Sequence, residues 1–291
     1  MNNNKPYFAL ATVCLVWGTT YLFTKIAMGA MEPLFLAFIR QMVAGALLFL
    51  YVWFIKKERK ISLPIIKQQA VNGVLMITVG NGFSTWGVKY IPTGVAALFG
   101  ALVPLLAILF TWMLGKGFPN NKVIFGIFIG LFGIVLISRN NLNWSESNDI
   151  QGLIAVILAC ITWTMGTVLT KYYFVSGSVL LKTSLQMLFG GLFLLPLSLL
   201  FDKHHHIQFD AISLGALLYL IVFGSLITFN AFNYALSKLP IEIASLYTYV
   251  NPVIALVAGY IVLNEKLDAI TIFACSITLL GVYIVKRFSN N

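Results

Sequence analysis

Long apolar stretches alternate with short polar interruptions along this chain, and it is the length of the stretches that carries the first reading. Crossing about 30 Å of hydrocarbon takes roughly 20 helical residues. Stretches of about that length fall at 6–27, 33–55, 67–88, 93–114, 122–138, 151–173, 179–201, 211–236, 243–263 and 269–286. Their continuity predicts helices, because the strands of a membrane barrel would read as short segments alternating apolar and polar residues. The longest interruption, from Ser138 to Ile150, predicts a linker over 139–150 between units at 6–138 and 151–287. No interruption is long enough for a soluble domain.

The two units repeat one another. At a constant shift of 148 positions the stretch from Val88 to Ala107 returns as Leu236 to Ala255, with Pro92 on Pro240, Ala96 on Ala244, Leu98 on Leu246 and Pro104 on Pro252. At a shift of 146, CLVWGTTYLFTK (Cys14 to Lys25) returns as CITWTMGTVLTK (Cys160 to Lys171). Gln41-Met42 recurs as Gln186-Met187, and Gly133 as Gly281. The predicted fold class is an all-α membrane protein of ten transmembrane helices, built as two five-helix repeats. Five is odd, so the second repeat enters from the opposite face and the two are inverted. That is an architecture of secondary carriers, with the binding site near the midplane between the halves.

Composition agrees: 59% of residues are hydrophobic and 10% charged, against roughly 25% charged in a soluble domain. The net charge of +10 is read through its distribution. With the N-terminus in the cytoplasm, inner segments collect 13 Lys and Arg and outer ones 5, so both termini are expected to be cytoplasmic. The positive charge then serves topology and attraction to anionic lipid, with no nucleic-acid partner. The first helix is too long for a signal peptide and shows no small-residue cleavage site, so it is expected to be retained. Cys14, Cys160 and Cys275 lie inside predicted spans, which argues against disulfides.

Several chemistries are excluded. Gly115-Lys116 is followed by Gly117 and is not a nucleotide-phosphate loop. The only histidines, His204 to His206, fall in a loop, so neither an intramembrane metal site nor a catalytic histidine is expected. No cofactor is expected, and the chain is not read as an enzyme. All nine Asp and Glu residues fall in loops or at span ends, which does not support a buried-carboxylate proton relay. Glu242 and Glu265 remain as groups able to protonate at a gate.

The rare polar and aromatic residues at membrane depth supply the expected substrate-binding set: Trp17, Thr20, Tyr21, Arg40, Asn81, Trp163, Asn230, Asn233, Tyr247 and Asn251. Trp17 and Trp163 sit at matched depth, either packing helices or forming an aromatic wall for substrate. Arg40 lies about 10 Å along its helix from the outer end; it either snorkels to the surface or contacts an anion in the cavity. Pro92, Pro104, Pro240 and Pro252 are read as gate and hinge residues, since a mid-span proline removes a backbone hydrogen bond. Lys25, Lys171 and Glu265, near span ends, join that set, the two lysines as interfacial anchors first. Gly126, Gly130 and Gly133 form a small-residue stripe, for helix packing or a dimer face.

These residues resemble the drug/metabolite transporter superfamily, specifically its EamA-like ten-helix carriers, over essentially the whole chain. The likeness rests on Trp17-Gly18 followed by Lys25, on Arg40 after an aromatic-rich helix start, and on the Pro92 to Pro104 hairpin with Ala96-Ala97-Leu98. In the second half it rests on Trp163, Lys171, Pro240, Ala244, Pro252 and Leu263-Asn264-Glu265-Lys266, similar to the family's Leu-Gly-Glu-Arg. Leu114-Gly115-Lys116 departs from the pattern, lacking an acid. The resemblance implies export of amino acids, their derivatives, other small metabolites or drugs from the bacterial cytoplasm, by a multi-pass protein of the cytoplasmic membrane. It implies a cavity framed by helices one, three, four, six, eight and nine, with five and ten on the flanks. The expected partners are a small-molecule metabolite and membrane lipid, the protein being a monomer or homodimer. The competing readings are a non-transporting scaffold or receptor, and a lipid flippase with a cavity open sideways to the bilayer.

Overall fold

A computed structural model describes residues 4–115, 120–143, 145–173, 175–203 and 210–288. His204 to His206, Lys116 and Gly117 lie outside the described residues. The helices are labelled α1 (Lys5–Ala27), α2 (Pro33–Lys56), α3 (63–90), α4 (Thr93–Met113), α5 (Asn121–Asn141), α6 (Ser147–Tyr172), α7 (Val179–Phe201), α8 (Ala211–Lys238), α9 (241–263) and α10 (Ala269–Phe288). Proline opens α1, α2 and α3 in the first turn, where its missing N–H would have no helical partner anyway. Seven helices, α1, α2 and α4 to α8, are long and apolar enough to cross a membrane, and Tyr247–Leu263 of α9 and Ala269–Val285 of α10 are shorter apolar helices. The start of α3 is diluted by Lys67, Gln68 and Gln69.

Helical bounds stay close to the apolar stretches, but the predicted linker shortens. Helix α5 runs to Asn141 and α6 starts at Ser147, because polar side chains finish both ends. Asn141 Nδ2 donates to Ile137 O at 3.2 Å and to Thr271 Oγ1 at 3.1 Å, and Asp149 accepts from Asn143 N at 2.8 Å.

Helices α3 and α8 are interrupted where the residue pattern gave no warning. Each widens into a π-helical segment, Gly73–Asn81 and Leu220–Ile227, and the 148-residue shift nearly superposes the two. Such a widening adds one residue to the turn and disturbs the i→i−4 ladder. Side chains serve the carbonyls there: Thr78 Oγ1 donates to Gly73 O at 3.4 Å while also reaching Gly190 O of α7 at 2.8 Å, Thr228 Oγ1 donates to Phe223 O at 2.7 Å, and Trp17 Nε1 to Gly224 O at 3.1 Å.

Helices α4 and α9 also break, at Gly100-Ala101 and Ser245-Leu246. This revises the reading of Pro104. It falls in the first turn of the segment Leu102–Met113, where a proline removes no helical hydrogen bond; the interruption belongs to Gly100. Pro252 does lie inside a helical segment, Tyr247–Leu263, as expected. Pro92 and Pro240 are extended residues at the N-caps of α4 and α9, with ψ of 145° and 150°.

The helices pair as α2 with α7, α5 with α10, α1 with α8 and α9, and α6 with α3 and α4. Exchanging the first five labels for the last five leaves this pairing unchanged. At the α5–α10 crossing a Cβ on Gly281 would lie 2.2 Å from Gly130 N, and one on Gly133 would lie 2.3 Å from Thr278 Oγ1. Gly126, Gly130 and Gly133 are buried against α10. The stripe is thus an internal packing seam, which corrects the dimer-face alternative.

Candidate solute cavity

Five aromatic rings meet where α1, α6, α8 and α9 converge. Trp17 and Trp163 stand edge to face with centroids 5.3 Å apart, and Trp17 meets Tyr247 at 5.2 Å and Phe232 at 5.2 Å. Phe229 lies 5.8 Å from Trp163. Edge-to-face geometry at these separations is the favoured arrangement of aromatic quadrupoles. Both indoles are also tied by hydrogen bonds, Trp17 to Gly224 O of the α8 π segment and Trp163 Nε1 to Tyr247 Oη at 3.0 Å. Gly80, in the other π segment, leaves room for Trp163, whose Cε3 would be 3.3 Å from a Cβ there.

On one side of this cluster lies a cavity of about 120 Å³, lined by residues of α1, α2, α3, α4, α6, α8 and α9. Eight predicted binding residues line it: Trp17, Thr20, Tyr21, Arg40, Asn81, Trp163, Tyr247 and Asn251. Arg40 is only 5% exposed, so it does not snorkel. Its Nε donates to Ser225 Oγ at 2.7 Å, and Nη2 would be 3.1 Å from a Cβ on Gly224. Gln41 Nε2 donates to Asn81 Oδ1 at 3.1 Å, while Gln41 Oε1 is buried with no hydrogen-bond partner. With its amide nitrogen facing them, Asn251 donates to Cys14 O at 3.0 Å and Tyr247 O at 3.1 Å.

The other two predicted asparagines lie elsewhere. Asn230 Nδ2 donates at 2.6 Å to Leu226 O of its own helix, just past the π segment, and lines neither cavity. Asn233 turns to α7, donating to Thr183 Oγ1 at 3.0 Å and Gln186 Oε1 at 3.2 Å. It lines a second cavity of about 180 Å³ with Gln68, Gln69, Thr170, Lys171, Lys182 and Gln186 among others. The two cavities share no lining residue. Along α6 the first uses Ala159, Cys160 and Trp163, and the second uses Thr170 and Lys171. Four rings of the aromatic cluster, Trp17, Trp163, Phe229 and Tyr247, line the first cavity and none of the five lines the second.

Of the predicted gate residues, Lys25, Lys171, Glu265, Pro92 and Pro240 lie at helix ends, while Pro104 and Pro252 lie within α4 and α9. Lys25 Nζ donates to Val88 O at 2.7 Å and Lys89 O at 3.0 Å, finishing α3; Lys171 Nζ donates to Leu236 O at 3.0 Å and Leu239 O at 2.7 Å, finishing α8. A cation on the last carbonyls of a helix is favourable, and the 148 shift carries Val88 onto Leu236. Glu265 caps the start of α4, with Oε1 accepting from Thr93 N at 2.8 Å and Oε2 from Thr93 Oγ1 at 2.8 Å. Asn264 before it has φ 54°, the left-handed conformation that Asn tolerates at a helix end.

Sequence reasoning missed Ser225, Phe229, the π segments within α3 and α8 and Asp202. Asp202 follows α7 and accepts from Phe35 N at 2.8 Å, Leu34 N at 3.4 Å and Ser198 Oγ at 2.8 Å. It thereby caps α2, and burial pushes its carboxyl above the ordinary range against the pull of these donors.

The sequence profile of the EamA-like transporter family matches residues 4–139 and again 150–287. An uncharacterized transporter of Archaeoglobus fulgidus is 28% identical over 97% of both chains. The uncharacterized inner membrane transporter YedA of Escherichia coli K12 is 29% identical over 96% of this chain and 90% of its own. The uncharacterized transporter YvbV of Bacillus subtilis is 29% identical over 89% of this chain and 84% of its own. A crystal structure with 18% identity superposes with a TM-score of 0.72 over 99% of both chains, so the fold is shared. Helices of membrane-crossing length, cavities between them and a profile spanning nearly the whole chain lead to one assignment: this multi-pass membrane protein belongs to the EamA-like transporter family.

Proposed function

We propose that the chain is a secondary carrier of ten transmembrane helices in two inverted repeats, 6–138 and 151–287, exporting small metabolites by alternating access. The repeat reading is supported by the exchangeable helix pairing, the matched π segments and the twofold match of the family profile. The lysine and arginine bias supports cytoplasmic termini, which puts the Pro92 end outside and the Pro240 end inside.

One observation carries the reading: two cavities in one helical bundle with no shared lining residue, an aromatic cluster closing the first. Alternating access needs such a septum, crossed by solute only when the halves rock. Solute sits in the first cavity against Trp17, Trp163, Tyr21 and Tyr247, with Asn81, Thr20 and Asn251 as hydrogen-bonding groups and Arg40 holding a carboxylate. Asn233 serves the second cavity, and Asn230 braces α8. The tight hairpins at Pro92 and Pro240 are the matched gates, with Pro104 and Pro252 beside their hinges and Lys25, Lys171 and Glu265 as latches. Small metabolites bearing a carboxylate are the solutes this arrangement fits. Reconstituted Trp163→Ala protein, folded as judged by its thermal transition, is expected to lose most uptake of a panel of labelled amino acids and hydroxy acids into proteoliposomes. Unchanged uptake would remove the septum from the mechanism.

A further inference from the structure

Resting on that carrier reading, we infer that the solute is an organic anion, a carboxylate without an ammonium group, so that each transfer event moves one net negative charge. The argument is a charge inventory of the cavity. Arg40 is 5% exposed and lines it, yet among the described residues no Asp or Glu lines that cavity. The ion pair of Lys89 with Glu32 involves neither Arg40 nor another lining residue. A buried charge is costly unless paired and hydrogen-bonded. Ser225 Oγ takes one guanidinium donor, Nε, and is neutral. Its neighbour in the π segment is Gly224, whose missing side chain leaves the space beside Nη2. The terminal Nη donors form the kind of planar fork that binds a carboxylate bidentately.

A zwitterion would not balance this site. Its carboxylate would offset Arg40, but its ammonium would bring a second positive charge among residues with no carboxylate to receive it. A neutral donor is better matched. Gln41 Oε1 is a buried acceptor with no partner, and Gln41 lines the same cavity; a solute hydroxyl would satisfy it without adding charge. The remaining lining is aromatic and small apolar, including Trp17, Trp163, Phe229 and Tyr247, which suits a compact apolar or aromatic body. An inside-negative membrane potential then favours export directly.

The test compares one body with three charges: 3-phenyllactate (anion), phenylalanine (zwitterion) and phenethylamine (cation), titrated calorimetrically into the purified wild-type protein in detergent. The anion is expected to bind at least tenfold tighter than phenylalanine, as follows from like charges close together at low dielectric. Arg40→Lys should keep the order of preference and Arg40→Gln should abolish it; each variant is checked for a wild-type thermal transition, and the wild-type series stands without them. In proteoliposomes clamped with valinomycin and potassium, the equilibrium ratio of phenyllactate should change about tenfold per 60 mV for one transported charge. Equal or tighter binding of phenylalanine or phenethylamine, no binding of any probe, or a ratio insensitive to potential would overturn the inference. Selective binding of the anion with no flux of any probe would leave the binding class standing and sink the carrier reading.

Discussion

The Pro92 end and the Pro240 end of the molecule match at a shift of 148 positions, and they differ in what holds them. At both, a lysine eight residues beyond a midspan tryptophan finishes a neighbouring helix, and a proline in extended conformation starts the next one. Both following helices end on a left-handed residue, Gly115 with φ 75° and Asn264 with φ 54°. There the likeness stops. Glu265 follows Asn264 and reaches back to cap α4 through Thr93, while Lys116 follows Gly115. Among the described residues no carboxylate caps the start of α9. The Pro92 end also carries the Lys89–Glu32 ion pair and the neighbouring Asp202 cap on α2. The helix-ending chemistry is alike at both ends, and the Pro92 end carries in addition a carboxylate cap and an ion pair.

Breaking the stronger end should have the largest effect. Glu265→Ala removes both acceptors at the start of α4 and is expected to destabilise the protein by about 2 kcal/mol, given the usual range for charged hydrogen bonds. An SDS titration from mixed micelles measures it; a change near zero would mean the cap is ornamental. Next come the lysines. Lys25→Met and Lys171→Met should each cost about 1 kcal/mol and by nearly equal amounts in the same titration, since each donates to two carbonyls. A severalfold difference between them would break the equivalence of the two ends. Thr93→Val, which leaves the Thr93 N–H bond to Glu265 intact, should cost slightly less, about 0.5–1 kcal/mol.

The smallest expected effect is a pH dependence at Asp202. Its folded carboxyl is raised by burial above the unfolded value of about 4, so its contribution is fully present below that value and is lost as pH rises through the folded one. The wild type's thermal midpoint should therefore decline between pH 4 and neutrality, and Asp202→Asn should flatten that decline. A variant whose profile parallels the wild type would show that Asp202 is not responsible.

The sequence made the bundle readable, because apolar length decides a membrane helix, and seven of the described helices are long and apolar enough to cross. Depth was readable too: Trp17, Tyr21, Arg40, Asn81, Trp163, Tyr247 and Asn251 do line one cavity. Direction around a helix was not, and Asn230 and Asn233 show why. A π segment adds a residue to the turn just before them, which rotates the face that simple periodicity assigns to the cavity. The cap at Asp202 and the α4 break at Gly100 were hidden for a related reason. Each depends on what another helix presents, and local composition does not record that.

The central claim is that the cavities open in turn across the aromatic septum. In a background with Cys14, Cys160 and Cys275 replaced, single cysteines at Thr85 of the first cavity and Thr183 of the second report access by their rates of maleimide labelling. Reciprocal change is predicted: a solute or potential that speeds labelling at one position slows it at the other. Rates that rise and fall together, or that never change, would contradict alternating access.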